Sequence, residues 1–205
     1  MFFPSGTHKD HGLAFNPLKA IISPRPIGWI SSIGADGVHN LAPYSFFNAI
    51  SESPPMVAFS GSPGAQGDKD SIKNIEETGD FVVNIVSSHL MDAMNITSAS
   101  LPRDVSEFDQ AKLTATPSRF VSSPHVGESP CYLECRLWQI LDLPQAANGE
   151  HGRLVIGEVL GIGIDDAIIT PEGKLDVTKY QPAARLGYKD YAIIDKVFEL
   201  DRPNP

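Results

Sequence analysis

Three stretches of the chain carry side chains whose types and spacing could do chemistry. Lys69-Asp70-Ser71 follows the glycine-rich run Gly61-Ser62-Pro63-Gly64-Ala65-Gln66-Gly67. Asp70 or Ser71 can cap a helix that opens here, and the free N–H groups and dipole at a helix start favour an anion. Lys69 and the Ser71 hydroxyl would complete a phosphate site. The same spacing also suits a solvated lysine beside an ordinary cap. The second stretch is Tyr44-Ser45-Phe46-Phe47-Asn48-Ala49-Ile50-Ser51. Its backbone and short polar groups could cradle a flat heterocycle while the aromatics wall it in; an edge strand with wetted polar residues has the same composition. The third is Arg185-Leu186-Gly187-Tyr188-Lys189-Asp190-Tyr191, able to close over a ligand or to pack on the rest of the fold or on a second subunit.

Other chemistries lack their motifs. No GxGxxG leads from a strand into a helix and no GxxxxGKS is present. Six histidines are scattered without HxH or HExxH pairing, and no nucleophile elbow marks a serine. Cys131 and Cys135 are the only cysteines. Four residues apart on a strand they share a face about 13 Å apart, too far for a disulfide. Reduced core thiols suit a cytoplasmic protein. The formal net charge of −9 argues against a general nucleic-acid binder, and no apolar run is long enough for a bilayer span.

The elements that must hold these stretches are mostly strands. At 205 residues one domain is expected, with residues 1–22 as a loosely structured N-terminal arm. Pro24-Arg25-Pro26 sets an extended entry into a strand over Ile27–Ile33, and Ala35-Asp36-Gly37 is a turn signal. Met56–Ser60 reads as a buried strand. A helix opens at Asp70 or Ser71, places Ile72 and Ile75 on one face and ends at Gly79. Asp80–Val86 is the next strand, a second helix starts at Ser88, and Leu113–Val121 can add a short strand. Cys131–Leu141 alternates, with Tyr132, Glu134, Arg136 and Trp138 on the wetter side. A turn at Asn148-Gly149-Glu150 leads into Gly152–Ile164, whose glycines suggest bends or close backbone approach. Six or seven strands with two or three helices and no βαβ rhythm favour an antiparallel barrel with peripheral helices.

Taken in order, Pro24-Arg25-Pro26-Ile27-Gly28-Trp29-Ile30-Ser31-Ser32, Asn40-Leu41-Ala42-Pro43-Tyr44-Ser45-Phe46-Phe47-Asn48, Lys69-Asp70-Ser71 with Asn74 to Asn84, and Gly157-Glu158-Val159 after His151 carry a specific resemblance. From about Pro24 to Tyr191 the chain resembles the flavin reductase-like family of FMN-binding split-barrel proteins, flavoredoxin among them. The resemblance implies a mainly β fold, a six-stranded antiparallel Greek-key split barrel. It also implies a homodimer with FMN near the subunit interface. Ser31 and Ser32, with Ile30 beside them, would approach the ribityl-phosphate. Tyr44, Ser45, Phe46, Asn48, Ala49, Ile50 and Ser51 would line the isoalloxazine or ribityl chain, and Lys69, Asp70 and Ser71 would sit at the phosphate. Arg185 would be a pocket residue, in a segment like the family's Arg-Leu-Gly-Gly with Tyr188 replacing the second glycine. The implied activity is hydride transfer from NAD(P)H to flavin, with a partner oxygenase or other acceptor downstream. The alternative is a flavoredoxin-like electron carrier reduced by a partner protein.

Overall fold

The computed structural model describes residues 1–62, 69–146 and 149–203. Seven strands form one antiparallel sheet: β1 (Gly28–Ile33), β2 (His39–Tyr44), β3 (Phe47–Glu52), β4 (Pro55–Gly61), β5 (Asp80–Ile85), β6 (Cys131–Asp142) and β7 (Arg153–Ile164). Their order across the sheet is β2-β1-β5-β6-β7-β4-β3.

That order forces closure. β2 and β3 lie at opposite edges of the sheet, yet only Ser45 and Phe46 separate them in the chain. Two residues cannot span a flat seven-strand sheet at about 4.8 Å per strand, so the sheet must curl until its edges meet. The seam shows the contact: the Ser60 N–H donates to the Phe46 carbonyl at 2.8 Å, and the Tyr44 ring lies 4.7 Å from that of Phe59. The mainly β barrel is as expected, with seven strands instead of six. The extra strand arises because the extended run from His39 to Glu52 breaks at Ser45–Phe46 and contributes half to each edge.

Alternation along β1 divides the core in two. Ile30 points to a cluster with Tyr44, Val57, Phe59, Phe81, Val83, Cys135 and Val155. Trp29 points to the other face, against Leu41, Val86, Leu90, Met94, Phe108 and Val126. Helix α1 (Asp70–Thr78) joins the first cluster through Ile72 and Ile75, the two residues whose spacing predicts its apolar face. Helices α2 (Met91–Ile96) and α3 (Glu107–Ala111) cover the second through Met94 and Phe108.

Local signals worked where chain chemistry dictates backbone shape. Gly37 and Gly79 take φ of 84° and 80° at the expected turn and helix end. The glycines of β7 mark close approach: a Cβ on Gly163 would stand 2.1 Å from the Tyr132 ring, and one on Gly157 2.5 Å from Phe81. Both cysteines are free and buried. Several expectations differ. The second helix begins as a 3-10 turn at Ser88–Leu90. The strand expected over Leu113–Val121 shrinks to Ala115–Thr116. Glu134, on the expected wet side of β6, is buried because its carboxylate accepts the Arg119 and Phe120 N–H groups. The arm holds a 3-10 turn at His8–His11 and a helical turn at Leu18–Ile21. The loop expected over Gly61–Gly67 lies outside the described residues from Pro63 to Gly67, as does Asn148 of the later turn.

Candidate functional site

The barrel seam is where two of the sequence-expected residues, Ser45 and Arg185, meet open space. Ser45 lines a cavity of about 870 Å³, within the ~300–1,000 Å³ range of small-molecule sites. Its walls come from distant parts of the chain: Phe15 and Lys19 from the arm, Arg25 and Pro43 beside the seam, Met94 and Asn95 from α2, and Arg185, Tyr188, Lys189 and Tyr191 from a C-terminal hairpin. The hairpin strand Ala183–Arg185 pairs with Arg25–Pro26, Arg25 facing Arg185. In a chain of net charge −9, four cations around one cavity are a local reversal of sign. A ligand with an anionic group fits it.

Arg25 is 5% exposed and staples the site together. Its guanidinium donates to the carbonyls of Lys19 and Ile22, and at 2.8 Å to that of Leu186. This ties the arm to the hairpin, and the guanidinium carbon sits 5.9 Å from the Phe46 ring. Its Nε has no partner among the described residues. Burial, and the charge of Arg185 beside it, lower its proton affinity from the ordinary arginine value. Arg185 lies over the Tyr191 ring at 4.3 Å and donates to the Tyr188 carbonyl. The Lys19 ammonium stands 5.7 Å from the Phe46 ring.

Strand β3 presents a second, exposed element of the site. Phe46 and Ile50 are 46% and 51% exposed, Asn48 and Ala49 are exposed, and Ser51 is half-buried. The Asn48 side chain accepts its neighbour's N–H, from Ala49, at 2.9 Å. As the sheet's edge, β3 has one side without a strand partner among the described residues, which leaves main-chain groups there able to meet a ligand or another chain.

Ile30, Ser31, Ser32, Tyr44 and Ser71 are enclosed in the protein, whereas Lys69 is exposed. Ile30, Ser31 and Ser32 are fully buried because β1 is an interior strand covered on both faces. The Ser31 hydroxyl donates to the Pro124 carbonyl at 2.5 Å and accepts from the Asn84 amide at 3.0 Å; Ser32 accepts from Asn74 at 3.3 Å. Tyr44 is buried in the barrel core, and desolvation pushes its phenol up to about 12. Ser71 is 1% exposed and donates to Asn40 Oδ1 at 2.6 Å. The Ser71 hydroxyl is thus spent inside the protein and does not cap α1. The cap position belongs to Lys69, which places no side chain over the helix end. Asp70 lies 3.5 Å from the Arg103 guanidinium. Lys69 is exposed and has no ion pair among the described residues.

Behind α1 a buried carboxylate organises this end of β2. Glu107, 6% exposed, accepts from the Asn40 amide at 2.9 Å and the Leu41 N–H at 3.0 Å. Asn40 in turn receives Ser71. Burial raises the Glu107 carboxyl above its ordinary range, opposed by the Leu41 hydrogen bond and reinforced by the charge of Asp70.

Sequence reasoning missed Lys19, Arg25, Phe15 and Glu107 as residues of the site, and it singled out Lys189, Tyr188 and Tyr191 only as part of the stretch from Arg185 to Tyr191. The available signal was Arg25 itself: an arginine between two prolines at the entry to a buried strand has its backbone direction set and must find partners for its guanidinium. A second cavity of about 670 Å³, lined by His125, Tyr132, Lys179 and Tyr180, contains none of the expected residues. Among the described residues no helix is long and apolar enough to cross a membrane.

The chain matches known proteins along most of its length. It is 37% identical over 183 residues to an uncharacterised protein of Aquifex aeolicus, covering 89% of this chain and 90% of that one. Its fold superposes on nitrilotriacetate monooxygenase component B from Bacillus cereus with a TM-score of 0.87, at 33% identity and 98% coverage of both chains. It superposes on the 2-nitrobenzoate 2-nitroreductase of Pseudomonas fluorescens with a TM-score of 0.83, at 27% identity, covering 99% and 96% of the two chains. Residues 22–179 match the family described as the flavin reductase like domain. With a barrel closed at Ser45–Phe46, a cationic cavity at the seam and this match over most of its residues, the chain belongs to the flavin reductase-like family.

Proposed function

We propose that this protein binds FMN and catalyses hydride transfer from NAD(P)H to flavin. The observation that carries the reading is the cavity at the barrel seam, where a cation cluster and aromatic walls adjoin the free edge of β3. The residues fit the group: an anionic, flat cofactor meets cations, rings and unpaired main-chain groups, and the cavity is large enough for a cofactor. Ser45, Phe46, Asn48, Ala49, Ile50 and Ser51 would hold the ring system and ribityl chain, Lys69 and the start of α1 the phosphate, and Arg185 the pocket's cationic side. When bound, FMN supplies the hydride-accepting chemistry.

The chain's own work is positional and electrostatic. Ile30, Ser31, Ser32, Tyr44 and Ser71 pack behind the wall, and the hydroxyls of Ser31, Ser32 and Ser71 are held by partners inside the protein. Arg25 holds arm and hairpin around the opening. Donors at the seam and the nearby guanidiniums favour the negative charge that a flavin gains on reduction. No side chain is required as a general acid or base.

The free edge of β3, with Ile50 exposed on it and Phe46 exposed just before it, needs a cover; a second copy of the chain supplies it in this reading, which makes the protein a homodimer. Free, buried thiols fit a reducing cytoplasm. The Bacillus cereus relative is a monooxygenase component, which supports a partner oxygenase or other acceptor for the electrons.

The test is absorption of the purified protein with added FMN, followed by steady-state oxidation of NADH and NADPH. Saturable FMN-dependent turnover is expected. Tight FMN with negligible nucleotide oxidation would favour the electron-carrier alternative, and absence of FMN binding at micromolar concentration would refute both. Lys69→Ala is expected to weaken FMN about tenfold, the worth of one charge-assisted contact, and to leave riboflavin affinity unchanged. Equal losses for the two flavins would show that Lys69 does not meet the phosphate.

A further inference from the structure

The backbone of the hairpin at the cavity rim is strained at one residue. Tyr188 takes φ = 55° in the turn closed by the Asp190 N–H on the Gly187 carbonyl and the Leu186 N–H on the Asp190 carbonyl. Turns with a positive φ at this point are dominated by Gly, Asn and Asp, and a tyrosine there is an outlier. Such strain persists only where the surroundings over-determine it, and it clusters at ligand clamps.

The surroundings of Tyr188 are specific. Gly187 packs so tightly on the arm that a Cβ would stand 2.5 Å from that of Ala20. The Tyr188 carbonyl receives Arg185 and the Leu186 carbonyl receives Arg25. The turn is therefore pinned on both sides while the ring is left 51% exposed. Its one ring neighbour among the described residues is Phe15, 68% exposed, with centroids 5.5 Å apart and planes tilted by 59°. Both rings line the cavity, and so do Lys19, Arg185 and Lys189. Two half-open aromatic rings at the mouth of a cationic cavity gain nothing as a core; they suit a flat ligand ring that carries anionic groups.

We propose that Tyr188 is a binding residue for the second substrate: with Phe15 it stacks on a planar ring of a pyridine nucleotide whose phosphates face Lys19 and Lys189. This rests on the reading of the seam as the flavin site. It adds a subsite built from Phe15 of the arm and from Tyr188, which stands where the resembling family segment has its second glycine. The strained backbone is the cost of placing a ring where glycine would be at ease.

The strain also makes the test clean, because Tyr188→Gly relieves the backbone and removes only the side chain. In the full chain, with FMN titrated first and NAD(P)H then varied at saturating FMN, this variant is expected to melt no lower than wild type and to lose FMN affinity by a clearly smaller factor than its KM for the nucleotide rises. Its KM for NADH or NADPH is expected to rise at least fivefold with kcat within twofold. Tyr188→Phe, which keeps the ring, should restore KM to within twofold of wild type. Phe15→Ala should reproduce part of the KM increase. An unchanged KM in Tyr188→Gly, or a fall in kcat alone, overturns the proposal. A parallel loss of FMN affinity would make Tyr188 a flavin contact and overturn it too. Failure of the wild type to bind FMN removes the site reading itself, and this subsite with it.

Discussion

Trp29→Ala lowers the free energy of unfolding by about 3–5 kcal/mol, the cost of emptying a large buried aromatic site. Trp29 is 0% exposed at the centre of the cluster beneath α2 and α3, surrounded by Leu41, Val86, Leu90, Met94, Phe108 and Val126. Its indole N–H donates to Thr97 Oγ1 at 2.8 Å, and the Thr97 hydroxyl donates to the Met94 carbonyl at the end of α2. The substitution therefore opens a cavity and frees the helix end. Because Met94 and Asn95 of α2 form one wall of the seam cavity, FMN affinity is expected to fall with stability. Urea titration measures the effect as a lower midpoint at unchanged m-value. Trp29→Phe, which keeps most of the packing but loses the indole donor, should cost about half as much. A loss below about 1 kcal/mol for the alanine variant would show that this cluster relaxes freely around its largest member.

Glu107 carries the second large effect. Glu107→Ala leaves the Asn40 amide and the Leu41 N–H without their acceptor, and unpaired buried donors cost about 2–3 kcal/mol together. Glu107→Gln keeps an accepting oxygen and is expected within about 1 kcal/mol of wild type at pH 7. The pH dependence separates the carboxyl's charge from its geometry. The folded state holds the Glu107 proton more tightly than the ordinary value of 4.5. The stability it contributes is therefore full below that value and is lost as pH rises through the raised folded value. Unfolding measured from pH 4 upward should show this decline in wild type and a flatter profile in the glutamine variant. A decline equally steep in both would assign it to other groups. Because Asn40 also accepts the Ser71 hydroxyl at 2.6 Å, the alanine variant should loosen the start of α1, where Lys69 sits.

These two residues mark different depths of legibility in the sequence. Trp29 follows Pro-Arg-Pro in a run of β-type residues, and its burial is what that pattern predicts. Glu107 stands in a charged stretch where a solvated carboxylate is the natural expectation. Nothing local reveals that Asn40 and Leu41, 67 and 66 residues away, point their donors at it. Ser31 and Ser32 show the same limit: their motif is plain, but only the neighbouring strands decide that both hydroxyls are enclosed.

The sequence by itself determined most of the barrel strands, the turn at Gly37, the helix from Asp70 to Thr78, the barrel class and, through ordered motifs, the family. Those features rest on period and on backbone chemistry, which act over a few residues. Tertiary structure alone decided where the sheet closes, because period-2 alternation sorts faces and says nothing about which edges meet. Closure at Ser45–Phe46 in turn lets Arg25 reach Arg185 across 160 positions of chain and gathers Lys19 and Lys189 around one cavity. The chemistry of the seam is a property of that long-range pairing, carried by residues whose local sequence shows a lone charge each.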